Sequence, residues 1–87
     1  MNATELQALV LSSLGEIAPE VDLAAVDPAA SLQEQLDIDS MDFLDFVVSL
    51  SERTGIEVPE SDYSDLATVD ACVSYIEARV DGGEAAG

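Results

Sequence analysis

Residues 39–55 read DSMDFLDFVVSLSERTG and carry the pattern that decides the fold. Apolar residues recur there at helical spacing, which predicts a helix from about Ser40 to Thr54 that ends at Gly55. With side chains about 100° apart, four apolar residues share one side: Phe43, Leu44, Val47 and Leu50. The opposite sector holds Asp42, Asp45, Ser49, Glu52 and Arg53, and Met41 and Val48 lie on the border beside Asp45 and Glu52. This helix is therefore expected to present an acidic strip edged by apolar side chains.

The first residues of the chain predict another long helix. Apolar residues at helical spacing indicate a helix over residues 3–14. Thr4 and Gln7 resemble a capping box at its start, and Gly15 is expected to end it.

Residues 16–39 predict a long connection that packs on the core. They contain Pro19 and Pro28 together with scattered apolar residues that follow no sustained period. Because a long loop in a compact domain tends to be functional or packed, the apolar residues favour packing. A short helical turn is expected at residues 31–35.

Residues after Gly55 predict a loop and a short helix. The segment 56–59 alternates like a strand but has no partner strand, and Pro59 favours an extended backbone before it, so we expect an ordered loop. A short helix over roughly residues 61–66 would bury Tyr63 and Leu66.

The last helix is predicted from Val69 to about Val80, with Thr68 as its N-cap. Residues 82–87 predict a disordered tail after a single domain that spans residues 1–81. Three long helices, each with one apolar face, and one short helix predict an all-α fold: a small four-helix bundle with a long loop between its first two long helices.

The charge of the chain is strongly negative. Nineteen acidic residues face only Arg53 and Arg79, with no lysine and no histidine, which gives a formal net charge of −17. We expect the arginines to form surface ion pairs with neighbouring acids. Such a chain repels nucleic-acid phosphates and anionic membranes, so neither a nucleic-acid partner nor membrane insertion is expected. Solubility and electrostatic steering toward basic partner proteins both explain the charge, and composition leaves both open.

Missing residue types exclude several kinds of site. Without histidine the usual base for a serine or cysteine nucleophile is absent, so the chain is not expected to be an enzyme. Cys72, the lone cysteine, lies in an apolar stripe and is interpreted as a buried structural thiol. The acidic stretch from Asp37 lacks the glycine and glutamate of an EF-hand loop, so no metal site is predicted, and loose binding of divalent cations stays open. No leader and no membrane span is visible, which predicts a monomeric cytoplasmic protein.

Ser40 lies where two interpretations compete. Asp-Ser before an apolar helix is a signal for an N-cap. A helix start also suits a phosphodiester, because free N–H groups and the helix dipole favour an anion there. The flanking carboxylates of Asp39 and Asp42 can help to hold a divalent cation during phosphoryl transfer, or they can repel a phosphate. Local physics leaves the role of Ser40 open.

Over nearly its whole length the chain resembles the acyl carrier protein family. The resemblance rests on residues 39–48 (DSMDFLDFVV) at the head of the second long helix. It continues in the turn Val58-Pro59, the helix opening Thr68-Val69 and the pair Tyr75-Ile76. Many relatives have glycine two or three residues before the serine, where this chain has Asp37 and Ile38.

This resemblance implies that Ser40 is the attachment residue for a covalent 4'-phosphopantetheine arm, with Asp39 beside it. A phosphopantetheinyl transferase would supply the arm from coenzyme A with Mg²⁺, and the thiol of the arm would carry the cargo as a thioester. It also implies that Asp39 and a set on the second long helix dock partner enzymes: Met41, Asp42, Asp45, Val48 and Glu52. These partners would be acyl- or aminoacyl-loading ligases, synthases and transferases with basic docking patches.

The cargo stays open at this point. The aspartate before Ser40 resembles that of acyl carriers, which implies acyl intermediates of fatty acid, polyketide or related biosynthesis. The Asp-Ser-Met form also resembles D-alanyl carriers, so an aminoacyl or D-alanyl cargo is the nearest alternative. Phe43, expected in the core, and Phe46, expected near its boundary, can reshape any interior channel for an acyl chain. A rival from another class is an unmodified acidic helical adaptor in which Ser40 only caps the helix.

Overall fold

The computed structural model describes the backbone of residues 2–86 and the side chains of residues 2–80. Its α-helices are α1 (Ala3–Ile17), α2 (Leu32–Leu36), α3 (Ser40–Thr54) and α4 (Val69–Ala86), and 3-10 helices cover Leu23–Ala25 and Glu60–Leu66. Helix α1 packs against both α3 and α4, and the second 3-10 helix packs against α4. No strand occurs within residues 2–86, and the predicted all-α bundle of three long helices and one short one is confirmed.

Helix α1 begins at residue 3, as predicted, but it ends later than predicted and a different residue caps it. Its N-cap is Asn2, whose side chain accepts a hydrogen bond from the Glu5 N–H (2.8 Å), and the Glu5 carboxylate accepts one from the Asn2 N–H (3.3 Å). The capping box predicted at Thr4 is therefore wrong by two residues. The helix also runs through Gly15, where a Cβ would lie only 3.3 Å from Leu23 Cδ1. This glycine allows the following loop to approach the helix instead of ending it.

The core draws on all four α-helices and on the second 3-10 helix. Its buried members are Leu6, Val10, Leu14, Leu32, Phe43, Phe46, Val47, Leu50, Leu66, Val69, Cys72, Tyr75 and Ile76. Ser13 is also buried, and its hydroxyl donates to the Leu9 carbonyl (3.0 Å), so this polar group is satisfied within its own helix.

Helix α3 turns a different arc toward the core than the sequence predicted. Phe46 is 0% exposed and Leu44 is 41% exposed, although Leu44 was expected inside and Phe46 near the boundary. Phe43, Val47 and Leu50 are buried with Phe46 in one cluster that includes the apolar face of α1. Helical spacing orders the side chains around the axis, but the neighbouring helix decides which arc is covered. The covered arc of α3 includes Phe46 and leaves out Leu44.

The long connection between α1 and α3 is packed, as predicted. Leu32 is fully buried, and its N–H donates to the Ala67 carbonyl (2.8 Å). The Asp70 N–H donates to the Pro28 carbonyl (3.0 Å). The turn predicted at residues 31–35 is present as α2. These bonds fix the loop against the start of α4 and so hold α2 near the first turn of α3.

One glutamine clamps the loop onto α2. Gln35 Nε2 donates to the carbonyl oxygens of Asp27 (2.8 Å) and Ala30 (3.2 Å), and Gln35 Oε1 accepts from the Asp27 N–H (2.9 Å). Three backbone groups of the loop thus depend on one side chain. Nothing in the sequence pattern singled this residue out, because its partners lie five and eight residues away.

Replacing Gln35 with alanine is expected to lower the free energy of unfolding by about 1–2 kcal/mol, because three hydrogen bonds are lost at a partly solvated site. Urea denaturation followed by circular dichroism measures the change. Gln33→Ala is the matched control, since Gln33 is an exposed glutamine on the same helix and its loss is expected to matter by less than about 0.5 kcal/mol. Equal effects of the two substitutions would contradict the clamp.

The segment after α3 also follows the prediction. Residues 56–59 form an irregular loop, and the short helix expected after it is the 3-10 helix Glu60–Leu66. Leu66 is buried as predicted, whereas Tyr63 is only half-buried. Tyr63 therefore lies at the edge of the core and not inside it.

Asp62 fastens this 3-10 helix to α4. Its Oδ2 accepts hydrogen bonds from the Tyr75 hydroxyl (2.7 Å) and from the Arg79 guanidinium (3.0 Å). The guanidinium carbon of Arg79 also lies 3.6 Å from the centroid of the Tyr75 ring. Arg79 thus joins the two elements through its ion pair with Asp62, whereas its cation–π contact with Tyr75 lies within α4.

Helix α4 starts as predicted and continues further. The Thr68 hydroxyl accepts from the Ala71 N–H (3.0 Å), which confirms Thr68 as the cap. The helix runs to Ala86, beyond the end predicted near Val80. Residue 87 and the side chains from residue 81 onward lie outside the described residues, so the disordered tail over 82–87 stays a prediction. Neither α4 nor any other described helix has the length and apolar content that a membrane crossing requires.

Cys72 is buried, as its place in the apolar stripe predicted. Its side chain is 0% exposed, and its Sγ donates to the Leu66 carbonyl (3.4 Å). Burial raises the pKa of the Cys72 thiol from 9.0 to about 12. Such a thiol stays protonated and unreactive in the folded protein.

The stability of the unmodified protein is expected to fall as the pH rises from 9.0 toward 12, because the unfolded chain ionises Cys72 first. In that window the slope from one thiol is up to about 1.4 kcal/mol per pH unit. Burial and the hydrogen bond to Asp62 raise the pKa of Tyr75, which acts in the same direction. Urea denaturation at several pH values measures the slope. Cys72→Ala should make it shallower, and an unchanged slope would contradict the assignment.

Candidate functional site

Ser40 is the first residue of α3, and its side chain is exposed. The cap of the helix is Asp39, whose backbone is extended and whose Oδ1 accepts from the Asp42 N–H (2.9 Å). The Asp39 carbonyl accepts the first bond of the helix, from the Phe43 N–H (3.0 Å). The capping role that the sequence allowed for Ser40 therefore belongs to its neighbour. The Ser40 hydroxyl therefore lies at the N-terminal end of α3 and does not cap the helix.

The turn before Ser40 depends on Asp37. Its φ of 54° and ψ of 42° lie in the left-handed region, where it ends α2. This is the kind of position that glycine usually occupies, and aspartate is among the few other residues that tolerate it. The departure from the glycine pattern noted in the sequence therefore leaves the tight turn intact. That turn connects α2 to α3, and Ser40 lies exposed shortly after it.

A cleft of about 490 Å³ opens beside Ser40. Its lining comes from three elements: Gln33 of α2, Ser40, Phe43 and Leu44 of α3, and Tyr63 and Ser64 of the second 3-10 helix. Sequence reasoning missed this cleft, because no local pattern reveals that three short stretches meet. The Ser40 hydroxyl is thus both exposed and adjacent to a concave surface.

Three exposed apolar side chains follow one another along α3. Met41 is 75% exposed, Leu44 41% and Val48 45%, and we call these three the apolar strip. They are spaced at i, i+3 and i+7, which places them on one side of the helix. Leu44 was missed as a surface residue, because helical spacing grouped it with the apolar side of Phe43 and Val47.

The predicted acidic residues lie beside the apolar strip. Asp45 and Glu52 are exposed, and Asp42 is half-buried in the first turn of α3. Of the residues predicted on this helix, Met41, Asp45, Val48 and Glu52 are therefore exposed on α3, and Asp42 is only partly exposed.

Neither arginine neutralises this surface. Arg53 forms an ion pair with Glu16 and donates from Nη1 to Ser12 Oγ (3.0 Å), which ties the end of α3 to α1. Arg79 pairs with Asp62 (3.0 Å). The surface ion pairs predicted for both arginines are confirmed. Since the chain has no other Lys or Arg, neither Asp45 nor Glu52 is paired with a basic side chain.

Salt is expected to stabilise this protein, because repulsion among its exposed carboxylates weakens as the screening length falls from about 30 Å at 0.01 M to about 8 Å at 0.15 M. A gain of about 1 kcal/mol would raise Tm by roughly 4–8 °C for a domain of this size. Thermal unfolding with and without salt, or with millimolar Mg²⁺, measures the gain. No cluster of three or more potential ligands for a metal occurs in the described part of the chain, so the effect should be diffuse. A flat response to both additions would contradict it.

Comparison with known proteins agrees with this geometry. A family model described as "Phosphopantetheine attachment site" matches residues 5–76. The acyl carrier protein of Thermobifida fusca is 35% identical over 71 residues, which cover 78% of this chain and 90% of the relative. That of Rubrobacter xylanophilus is 33% identical over 70 residues (77% and 86%), and that of Micrococcus luteus is 34% identical over 71 residues (78% and 88%). The resemblance predicted from the sequence is confirmed: the chain belongs to the acyl carrier protein family, which is marked by a phosphopantetheine attachment site.

Proposed function

We propose that this protein carries acyl intermediates as thioesters on a 4'-phosphopantetheine arm attached to Ser40 Oγ. The observation that carries the proposal is the position of Ser40. Its hydroxyl is exposed at the first residue of α3, beside a cleft, while Asp39 supplies the cap. A hydroxyl with no structural task at an open helix end is well suited to modification.

The residues around Ser40 fit such an arm. The first N–H groups of α3 and the positive end of its dipole favour an anion, so a phosphodiester on Ser40 suits this end of the helix. Asp39 holds the helix start in place through the Asp42 N–H. When bound, the arm supplies the thiol on which cargo is held. Because the chain has no histidine, we assign removal of the Ser40 proton during attachment to the transferase.

The chain acts in this proposal as a carrier and not as an enzyme. Members of the family are carriers, and Ser40 is an acceptor rather than a catalyst. An acyl cargo is supported by the relatives, each of which is an acyl carrier protein. Partner enzymes would load the cargo, extend or transform it, and remove it.

We assign partner docking to the apolar strip together with Asp42, Asp45 and Glu52. The apolar side chains offer contact area, and the carboxylates attract basic patches on the transferase, on loading ligases and on synthases. Uncompensated charge of one sign raises association rates without requiring tight binding. This explains why a carrier that must visit several enzymes can combine a strong field with a small contact surface.

Intact mass tests the proposal. The unmodified protein is incubated with coenzyme A, Mg²⁺ and a broad-specificity phosphopantetheinyl transferase, and then digested to locate the added group. The expected result is a gain of one phosphopantetheine on the peptide that contains Ser40. Folded protein that gains no mass would overturn the proposal and favour the adaptor.

A further inference from the structure

The cleft beside Ser40 is lined by one almost fully buried aromatic ring, which packs against a second ring in the core. Phe43 lines the cleft and is only 8% exposed. Behind it lies Phe46, fully buried, with its ring centroid 6.0 Å from that of Phe43 and the rings tilted by 46°. Both belong to the buried core cluster. A group that enters the cleft therefore meets a packed aromatic floor.

The walls of the cleft carry groups that form hydrogen bonds. Gln33 offers an amide, and Tyr63 and Ser64 offer hydroxyls, so donors and acceptors surround the space beside Ser40. Leu44 adds one partly exposed apolar side chain. A pocket with an apolar floor and a few polar groups around it selects ligands by the placement of their oxygen and nitrogen atoms.

The charge around the cleft disfavours an anion inside it. Glu60 is exposed at the cleft, and Arg53 and Arg79 are engaged with Glu16 and Asp62. The phosphodiester of the arm would occupy the positive end of α3, so a cargo with a free carboxylate would meet that phosphate and Glu60 without a further cation to offset them. A neutral cargo with oxo or hydroxyl groups meets no such penalty.

We propose that Phe43, backed by Phe46, confines the cargo to this open cleft, and that the protein carries short, neutral, oxygen-bearing acyl groups in preference to long alkyl chains. This inference rests on the proposed attachment of the arm to Ser40. A short hydroxyacyl group fits between the polar walls. A long alkyl chain extends beyond the cleft into water, because the aromatic floor bars it from the core.

The test compares three cargoes on the arm: butanoyl, 3-hydroxybutanoyl and octanoyl. Hydroxylamine cleaves each thioester by forming a bond to the acyl carbon and releasing the thiol, and intact mass follows the rate. Each rate is divided by that of the same acyl group on free pantetheine, which removes differences in intrinsic reactivity. Butanoyl is the matched control, since it lacks only the hydroxyl of one cargo and the extra length of the other.

We expect 3-hydroxybutanoyl to be cleaved about fivefold more slowly than butanoyl, the effect of roughly one hydrogen bond. Octanoyl should be cleaved as readily as butanoyl in the wild type. Tyr63→Phe, which removes only the wall hydroxyl, should reduce the protection of 3-hydroxybutanoyl without changing the butanoyl rate.

The role of Phe43 is tested by substitutions that remove its ring. Phe43→Ala should make octanoyl resistant to cleavage, because the chain can then enter the vacated space, and Phe43→Leu should give a smaller change of the same sign if the alanine variant does not fold. Octanoyl that is protected in the wild type, or unprotected in both folded variants, would overturn the proposal. Failure of Ser40 to gain the arm is read separately from the mass, and it would overturn the proposed function and this inference with it.

Discussion

Replacing Ser40 with alanine is expected to abolish attachment of the arm completely and to leave the fold unchanged. The substitution removes the only oxygen to which we assign the phosphodiester. It leaves the helix start intact, because Asp39 accepts from the Asp42 N–H and Ser40 caps nothing. Intact mass after treatment with coenzyme A and transferase measures attachment, and urea denaturation measures stability. The free energy of unfolding should change by less than about 0.5 kcal/mol.

Ser64→Ala is the matched control for this experiment. Ser64 is also an exposed serine, and it lines the same cleft. The Ser64 variant should gain one full arm, as the wild type does. Attachment that survives in Ser40→Ala, or that disappears in Ser64→Ala, would show that the acceptor has been misassigned. Loss of folding in Ser40→Ala would show that the hydroxyl does have a structural task.

Reversing the charges of Asp45 and Glu52 together should slow turnover by partner enzymes about ten- to hundredfold. Both residues are exposed beside the apolar strip, and neither is paired with an arginine. They are better choices for this test than Asp42, because the Asp42 carboxylate lies in the first turn of α3 and interacts favourably with the helix dipole. The effect should appear in kcat/KM for arm transfer, because steering acts on the rate of encounter. It should shrink as salt is added.

Glu20→Lys with Glu57→Lys is the matched control. These residues are also exposed acids, and their reversal changes the net charge equally, but they lie outside α3. This control variant should retain most of its turnover at physiological ionic strength. Equal losses in both double variants would mean that net charge matters and that the α3 surface does not. Normal turnover of Asp45→Lys with Glu52→Lys would contradict the docking assignment itself.

The elements that could be predicted were those whose start, apolar period and end are all marked by residues close together in the chain. Helix α3 begins after Asp39 and ends at Gly55, because a capping aspartate, a steady apolar period and a left-handed glycine (φ 72°) all lie within a few residues of one another. Thr68 was predicted as a cap for the same reason. At the first helix, Thr4 with Gln7 and Asn2 with Glu5 both satisfy capping patterns, and only the three-dimensional geometry selected the second.

The candidate site divides in the same way. Ser40 was predicted from its position in the chain and from the family resemblance, because the proposed covalent acceptor is a single residue. The cleft was not found, since Gln33, Phe43 and Tyr63 come from three elements that meet only after folding. Leu44 was assigned to the core because hydrophobicity does not report which neighbours a side chain has.

By itself the sequence determined that this protein is acidic and all-α, with Ser40 at the head of α3, because capping, periodicity and charge are properties of short stretches. The acyl carrier protein family was indicated by resemblance and not by these local properties. Only the tertiary structure decided that Phe46 replaces Leu44 in the core, that both arginines are tied to distant acids, and that a cleft with an aromatic floor opens beside Ser40. The physical reason is that burial, ion pairing and cavity shape depend on which surfaces meet. Those contacts join residues that are far apart in the chain.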